Sequence, residues 1–161
     1  SSADLKDEHP LLVMLDGIQD PHNLGAIART AEAAGVHGLI IPERRAVGVT
    51  PGAMRASAGA LEYIKVSRVG NLNRTVEKLK ENGLTIVGLD AAGDSEYTEV
   101  DFTGPVLVVV GSEGKGLSRL MRENCDHVAS IPMAGQISSL NVSVSAAIVL
   151  YEAFSQRSKA S

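Results

Sequence analysis

The sequence predicts an α/β fold: a mainly parallel sheet with helices on both faces. Three observations predict it. From Leu11 to Gln156, short aliphatic runs alternate with stretches of helical period, the order that βαβ units produce. The runs are continuously Val-, Ile- and Leu-rich, as strands covered on both faces must be. Hydrophobic residues make up 44% of the 161, yet aromatics only 3%, so aliphatic side chains must fill the core.

Taken in order, residues 1–10 are polar, end in His-Pro and read as a linker or tail. Residues 11–161 read as one domain of ordinary size, without internal repeat or low-complexity stretch. A strand is expected at Leu11–Leu15. A helix follows at Leu24–Ala34, where Leu24, Ile27, Ala28 and Ala31 form one apolar stripe. Strand Gly38–Ile41, helix Pro51–Leu61 and strand Tyr63–Val66 come next. Helix Leu72–Asn82 has Asn71 as its cap and Gly83 for a left-handed stop. Strands Thr85–Leu89 and Val106–Val110, helix Leu117–Glu123 and strand Val128–Ile131 complete the alternation. The final helix, Asn141–Gln156, is apolar nearly all round. Such a helix is covered on every side, either within its own chain or by another subunit.

The formal charge is −4, with 15 Lys and Arg against 19 Asp and Glu. A nucleic-acid binder is more often basic, but arginines cluster in the first half: Arg29, Arg44, Arg45, Arg55 and Arg68. Acidic residues gather at Asp4, Asp7 and Glu8 and from Asp90 to Asp101. Cys125 is the only cysteine, so no disulfide forms within the chain. His9, His22, His37 and His127 lack metal-ligand spacing, and no metal is expected. Met14, Met54, Met121 and Met133 read as core or pocket filler. No signal peptide or membrane span is visible, and a cytoplasmic protein is the expectation.

Three stretches carry chemistry. The first, Asp16 to Thr30, contains N-L-G-A-I-A-R-T after a strand. Arg29 lies off the apolar stripe, free for solvent, phosphate or carboxylate, while Asn23 reads as a cap or a site residue. The second, Val106 to Ser118, runs from a strand through G-S-E-G-K-G. Ligands of open α/β sheets bind at such carboxyl ends. A P-loop would need Lys after Gly116, where Leu117 stands, and G-x-G-x-x-G is absent. Glu113 has little packing use among glycines. The third, Ser130 to Ser143, ends a strand in I-P-M and enters the last helix through S-S-L-N-V-S. Ser and Asn are ordinary caps there, yet Ser138, Ser139, Asn141, Ser143 and Ser145 crowd beside an apolar helix, and buried hydroxyls need partners.

In this order the three stretches resemble the motifs of the TrmH branch of SPOUT methyltransferases, and the likeness runs from about Leu11 to Gln156. It is nearest to the RlmB-type enzymes, which methylate a guanosine ribose of 23S ribosomal RNA. The resemblance implies a deep C-terminal trefoil knot, the SPOUT fold. It also implies S-adenosylmethionine as methyl donor, a homodimer, and ribosomal RNA as partner, with transfer RNA as the alternative. By matching positions it makes Arg29 the catalytic arginine, with Asn23 and Glu113 beside it and Ser139 and Asn141 as polar residues of the third motif. The cofactor is expected against Leu89, Gly111, Ile131, Met133 and Leu140. RlmB-type enzymes usually carry a small N-terminal RNA-binding domain, which these residues do not include.

A guanidinium keeps its proton to above about pH 12. Arg29 is therefore expected to hold a phosphate and the 2'-oxygen rather than to act as a simple base. Two other readings compete: a nucleotide-binding enzyme using the Gly111–Gly116 turn on ATP or NAD, and a non-catalytic RNA-binding module.

Overall fold

The computed structural model describes residues 8–43, 50–112 and 114–160. Glu113, Arg44 and Arg45, singled out above, lie outside the described residues. Seven strands are present among those described: β1 (Leu11–Leu15), β2 (Gly38–Pro42), β3 (Lys65–Val69), β4 (Thr85–Leu89), β5 (Ser95–Glu96), β6 (Val106–Val110) and β7 (His127–Ser130). The helices are α1 (Pro21–Ala33), α2 (Pro51–Ala56), α3 (Leu72–Glu81), α4 (Arg119–Asn124) and α5 (Val142–Ala160).

The strands form one parallel sheet in the order β3-β2-β1-β6-β4-β7-β5. β6 lies at its centre, paired with β1 from Leu11↔Val106 to Leu15↔Val110 and with β4 from Thr85↔Val106 to Leu89↔Val110. All of Val106–Val110 is buried, because the period-2 alternation feeds two cores. Val106, Val108 and Val110 pack into a core with Ile27 and Ala28 of α1 and Val149 and Leu150 of α5. Leu107 and Val109 pack into the other with Val76 of α3 and Met121 of α4. Helices thus cover both faces, as expected.

Local chemistry sets the helix starts. Asp20 caps α1, its carboxylate accepting from the His22 N–H at 2.8 Å, and Pro21 occupies the first turn. The helix therefore starts at Pro21 rather than Leu24, and Asn23 is a buried residue inside it rather than its cap. Asn71 caps α3 through the Arg74 N–H at 3.0 Å, and Gly83 ends the turn at φ 94°. The α2 segment stops at Ala56, because Ala58 and Gly59 take φ of 53° and 86°, which no α-helix continues. A separate 3-10 turn follows at Ala60–Glu62, and β3 begins two residues later than expected.

β7 sits between β4 and β5, so the Asp90–Asp94 loop that joins those two strands must cross it. Ala129 pairs with Leu89 on one side and Ser95 on the other. A connection laid down earlier thus crosses a strand that comes later in the chain, a crossing that the expected C-terminal knot requires. α5 then packs along α1, burying Ala146, Val149, Leu150 and Ala153. Its opposite side exposes Val144, Tyr151 and Phe154. Within one chain the last helix is therefore covered on one side only.

No helix among the described residues is long and apolar enough to cross a membrane.

Candidate functional site

Three loops meet at the carboxyl ends of β4, β6 and β7 and enclose a cavity of about 260 Å³. That is just under the roughly 300–1,000 Å³ usual for ligand pockets, a size for one small molecule at most. Leu89, Gly111, Ile131, Met133, Ser139, Leu140 and Asn141, all expected at the site, border it. They come from far apart in sequence because parallel strands present all their carboxyl ends on one edge.

The walls differ in chemistry. Leu89, Ile131, Met133 and Leu140 offer apolar surface, suited to an aromatic base. The Gly111–Gly116 turn offers backbone, and Ser138, Ser139 and Ser145 offer hydroxyls. This donor set fits S-adenosylmethionine, which has an adenine, a ribose and a zwitterionic tail. Asn141 also caps α5. Its Oδ1 accepts from the Ser143 N–H at 2.9 Å and from the Ser143 hydroxyl at 2.6 Å.

Gly111 is required by the protein itself. A Cβ there would lie 2.6 Å from the Gly116 carbonyl oxygen and 2.8 Å from the Leu117 nitrogen. The two ends of the turn touch, and the Ser112–Gly116 backbone pair closes it in both directions at 3.0 and 3.1 Å. The glycine therefore shapes the pocket wall rather than clearing space for a ligand, and a Gly111→Val variant would deform the turn.

Asn23 and Arg29 stand on α1, and neither borders the cavity. Their helix is tied to the site through β1, where the Asp16 N–H donates to the Val110 carbonyl at 2.9 Å. Arg29 is exposed and makes no hydrogen bond or ion pair with any described residue. Asp16 at the end of β1 is half-buried, and desolvation raises its carboxyl above the usual range. Burial, with Asp126 beside it, pushes the Cys125 thiol up to about 11, which disfavours the thiolate at neutral pH.

The sequence reading missed Asp90. It lines the cavity, and its carboxylate pairs with Arg122 at 3.1 Å. Its position just past a strand at the ligand edge of a parallel sheet was the available signal.

The family model of the SpoU rRNA methylases matches residues 10–151. The chain belongs to the SpoU rRNA methylase family. An uncharacterized tRNA/rRNA methyltransferase of Mycobacterium sp. (strain KMS) is 60% identical over 147 residues, covering 91% of this chain and 47% of that protein. The chain thus spans about half the length of that relative. Among solved structures, the SpoU methyltransferase AviRb of Streptomyces viridochromogenes in complex with AdoMet has a TM-score of 0.86 and 40% identity, covering 94% of this chain and 62% of that one. A structure described as an RNA 2'-O ribose methyltransferase has a TM-score of 0.82 and 34% identity, covering 92% of this chain and 57% of that one. The seven-stranded parallel sheet is therefore the SpoU methylase architecture.

Proposed function

We propose that this SpoU-family chain transfers a methyl group from S-adenosylmethionine to a ribose 2'-hydroxyl of ribosomal or transfer RNA. The observation that carries the reading is the convergence of Leu89, Gly111, Ile131 and Leu140 on one cavity beside a hydroxyl-rich loop. The AdoMet complex of AviRb and the 2'-O specificity named for a second similar structure support it.

When bound, S-adenosylmethionine supplies an electrophilic methyl group. The residues of this chain do the rest. Leu89, Ile131, Met133 and Leu140 hold the adenine, and the Gly111–Gly116 backbone and Ser139 hold the polar parts. Arg29, exposed and unpaired with any described residue, binds an RNA phosphate and the 2'-oxygen in its planar fork and stabilises the charge that develops there. Asn23, Glu113, Ser139 and Asn141 complete the catalytic set. Positioning the two reactants supplies much of the rate.

The finer assignment is a guanosine of 23S ribosomal RNA, as the RlmB-type likeness implies, with residues 11–161 as the catalytic unit. A second copy covers Val144, Tyr151 and Phe154, since apolar surface of this kind on α5 is uncommon on monomers. The decisive experiment incubates the protein with labelled S-adenosylmethionine and separate pools of transfer and ribosomal RNA. Nuclease digestion then reads where the label sits. Label on ribose 2'-oxygens supports the reading, and label on bases alone overturns it.

A further inference from the structure

We infer that Asp90 and Arg122 form a positioning pair that sets the distance between two walls of the cofactor cavity. The inference rests on reading that cavity as the S-adenosylmethionine pocket. Asp90 follows β4, and its side chain is only 12% exposed. Both carboxylate oxygens are engaged. Oδ1 accepts from the Ala92 N–H at 2.9 Å, Oδ2 accepts from the Leu117 N–H at 3.1 Å, and Nη1 of Arg122 lies 3.1 Å from Oδ2. The other arm of Arg122 donates to the Ala92 carbonyl at 2.9 Å.

One carboxylate therefore joins three pieces of chain: the loop after β4, the turn after β6 and helix α4. The turn is moulded to it. Gly116 holds φ 68°, and a Cβ there would lie 2.5 Å from Asp90 Oδ2. The loop and the turn both line the cavity, through Ala91 on the one and Gly114, Lys115 and Gly116 on the other. Covering a carboxylate is costly unless its hydrogen bonds are complete. An apolar contact could hold the walls equally well but would not fix where their backbone groups point. The carboxylate is taken up by the Ala92 and Leu117 N–H groups and by Arg122, so the pair acts on the shape of the pocket, and its loss should appear in cofactor affinity and not in the chemical step.

The test uses the full chain with Arg122→Gln, Arg122→Lys and Asp90→Asn, titrated with S-adenosylmethionine by calorimetry and assayed for methyl transfer. Arg122 is 36% exposed, so its variants should fold even where Asp90→Asn does not. Arg122→Gln should weaken S-adenosylmethionine binding roughly tenfold to a hundredfold, the scale of hydrogen bonds to charged groups. Arg122→Lys should recover part of that loss by restoring the charge beside Asp90. Turnover of the two Arg122 variants at saturating cofactor should stay within a few fold. A folded Arg122→Gln protein with unaltered cofactor affinity would overturn the inference, even if its unfolding midpoint falls. So would lost turnover at unchanged affinity. Failure of the unaltered chain to bind S-adenosylmethionine would instead overturn the pocket reading.

Discussion

Gly93 passes so close over Val128 that a side-chain carbon on it would lie 2.5 Å from the Val128 carbonyl oxygen. This is the point where the β4–β5 connection crosses β7. Backbone lies on backbone there, β7 is paired on both sides, and the loop is pinned at its two ends by Leu89 and Ser95, which both pair with Ala129. Gly93→Ala should therefore destabilise the fold by about 1–3 kcal/mol, as overpacking of closed sites does. Denaturant unfolding measures it, and an unchanged midpoint would mean that the crossing is loose.

Arg157 fastens the end of α5. Its guanidinium donates to the Phe102 and Gly104 carbonyls, both at 2.9 Å, and to the His9 carbonyl. Arg157→Ala should cost roughly 2 kcal/mol of stability, since charged donors are lost from three backbone acceptors that water only partly replaces. Cofactor affinity measured by calorimetry should not change, because none of these groups borders the cavity.

Asp16 gives a pH dependence with a definite sign. Desolvation raises its carboxyl above 3.8 in the folded chain, so the native state binds its proton more tightly than the unfolded state does. Its ionisation then lowers stability as pH rises through the folded value, and the penalty is absent below about 3.8. Asp16→Asn should raise the unfolding midpoint at pH 7 and leave it unchanged near the acid end. Thermal unfolding across pH 3.5 to 7 reads the difference. A variant that matches the unaltered chain at both ends would show that Asp16 carries no desolvation penalty.

Much of this was legible in the sequence. β1, β4 and β6 run as their apolar runs say, because central parallel strands carry an uninterrupted hydrophobic signal. β5 was not legible: Ser95 and Glu96 carry no apolar pattern, and two residues pair only because β7 lies beside them. At Asp20-Pro21 the sequence carries a cap signature, but the apolar stripe from which the helix is read begins only at Leu24. Leu89, Gly111, Ile131, Met133 and Leu140, which border the cavity, were legible through the motif resemblance. Asp90 was not, because a carboxylate in an acidic stretch reads as a solvated one until its partners come from α4 and the glycine turn.

On the proposed function, Arg29 acts in the chemistry and not in the folding. It is exposed and unpaired with any described residue, so Arg29→Ala should change stability by no more than about 0.5 kcal/mol. Turnover should fall by about 10²–10³ or more, the scale of losing one oxyanion donor. Arg29→Lys should also fail, since a point charge does not reproduce the planar fork. Labelled methyl transfer to RNA is the assay. Near-normal turnover in Arg29→Ala would return this residue to the solvated surface.

The cavity between β4, β6 and β7, if built for S-adenosylmethionine, must bind that molecule in preference to other adenine nucleotides. Calorimetric titration of the unaltered chain with S-adenosylmethionine, ATP and NAD in parallel tests this most directly. The predicted result is saturable binding of S-adenosylmethionine, weakened when the Gly111–Gly116 turn is altered, and no comparable heat with ATP or NAD. Binding of ATP or NAD with none of S-adenosylmethionine would contradict it.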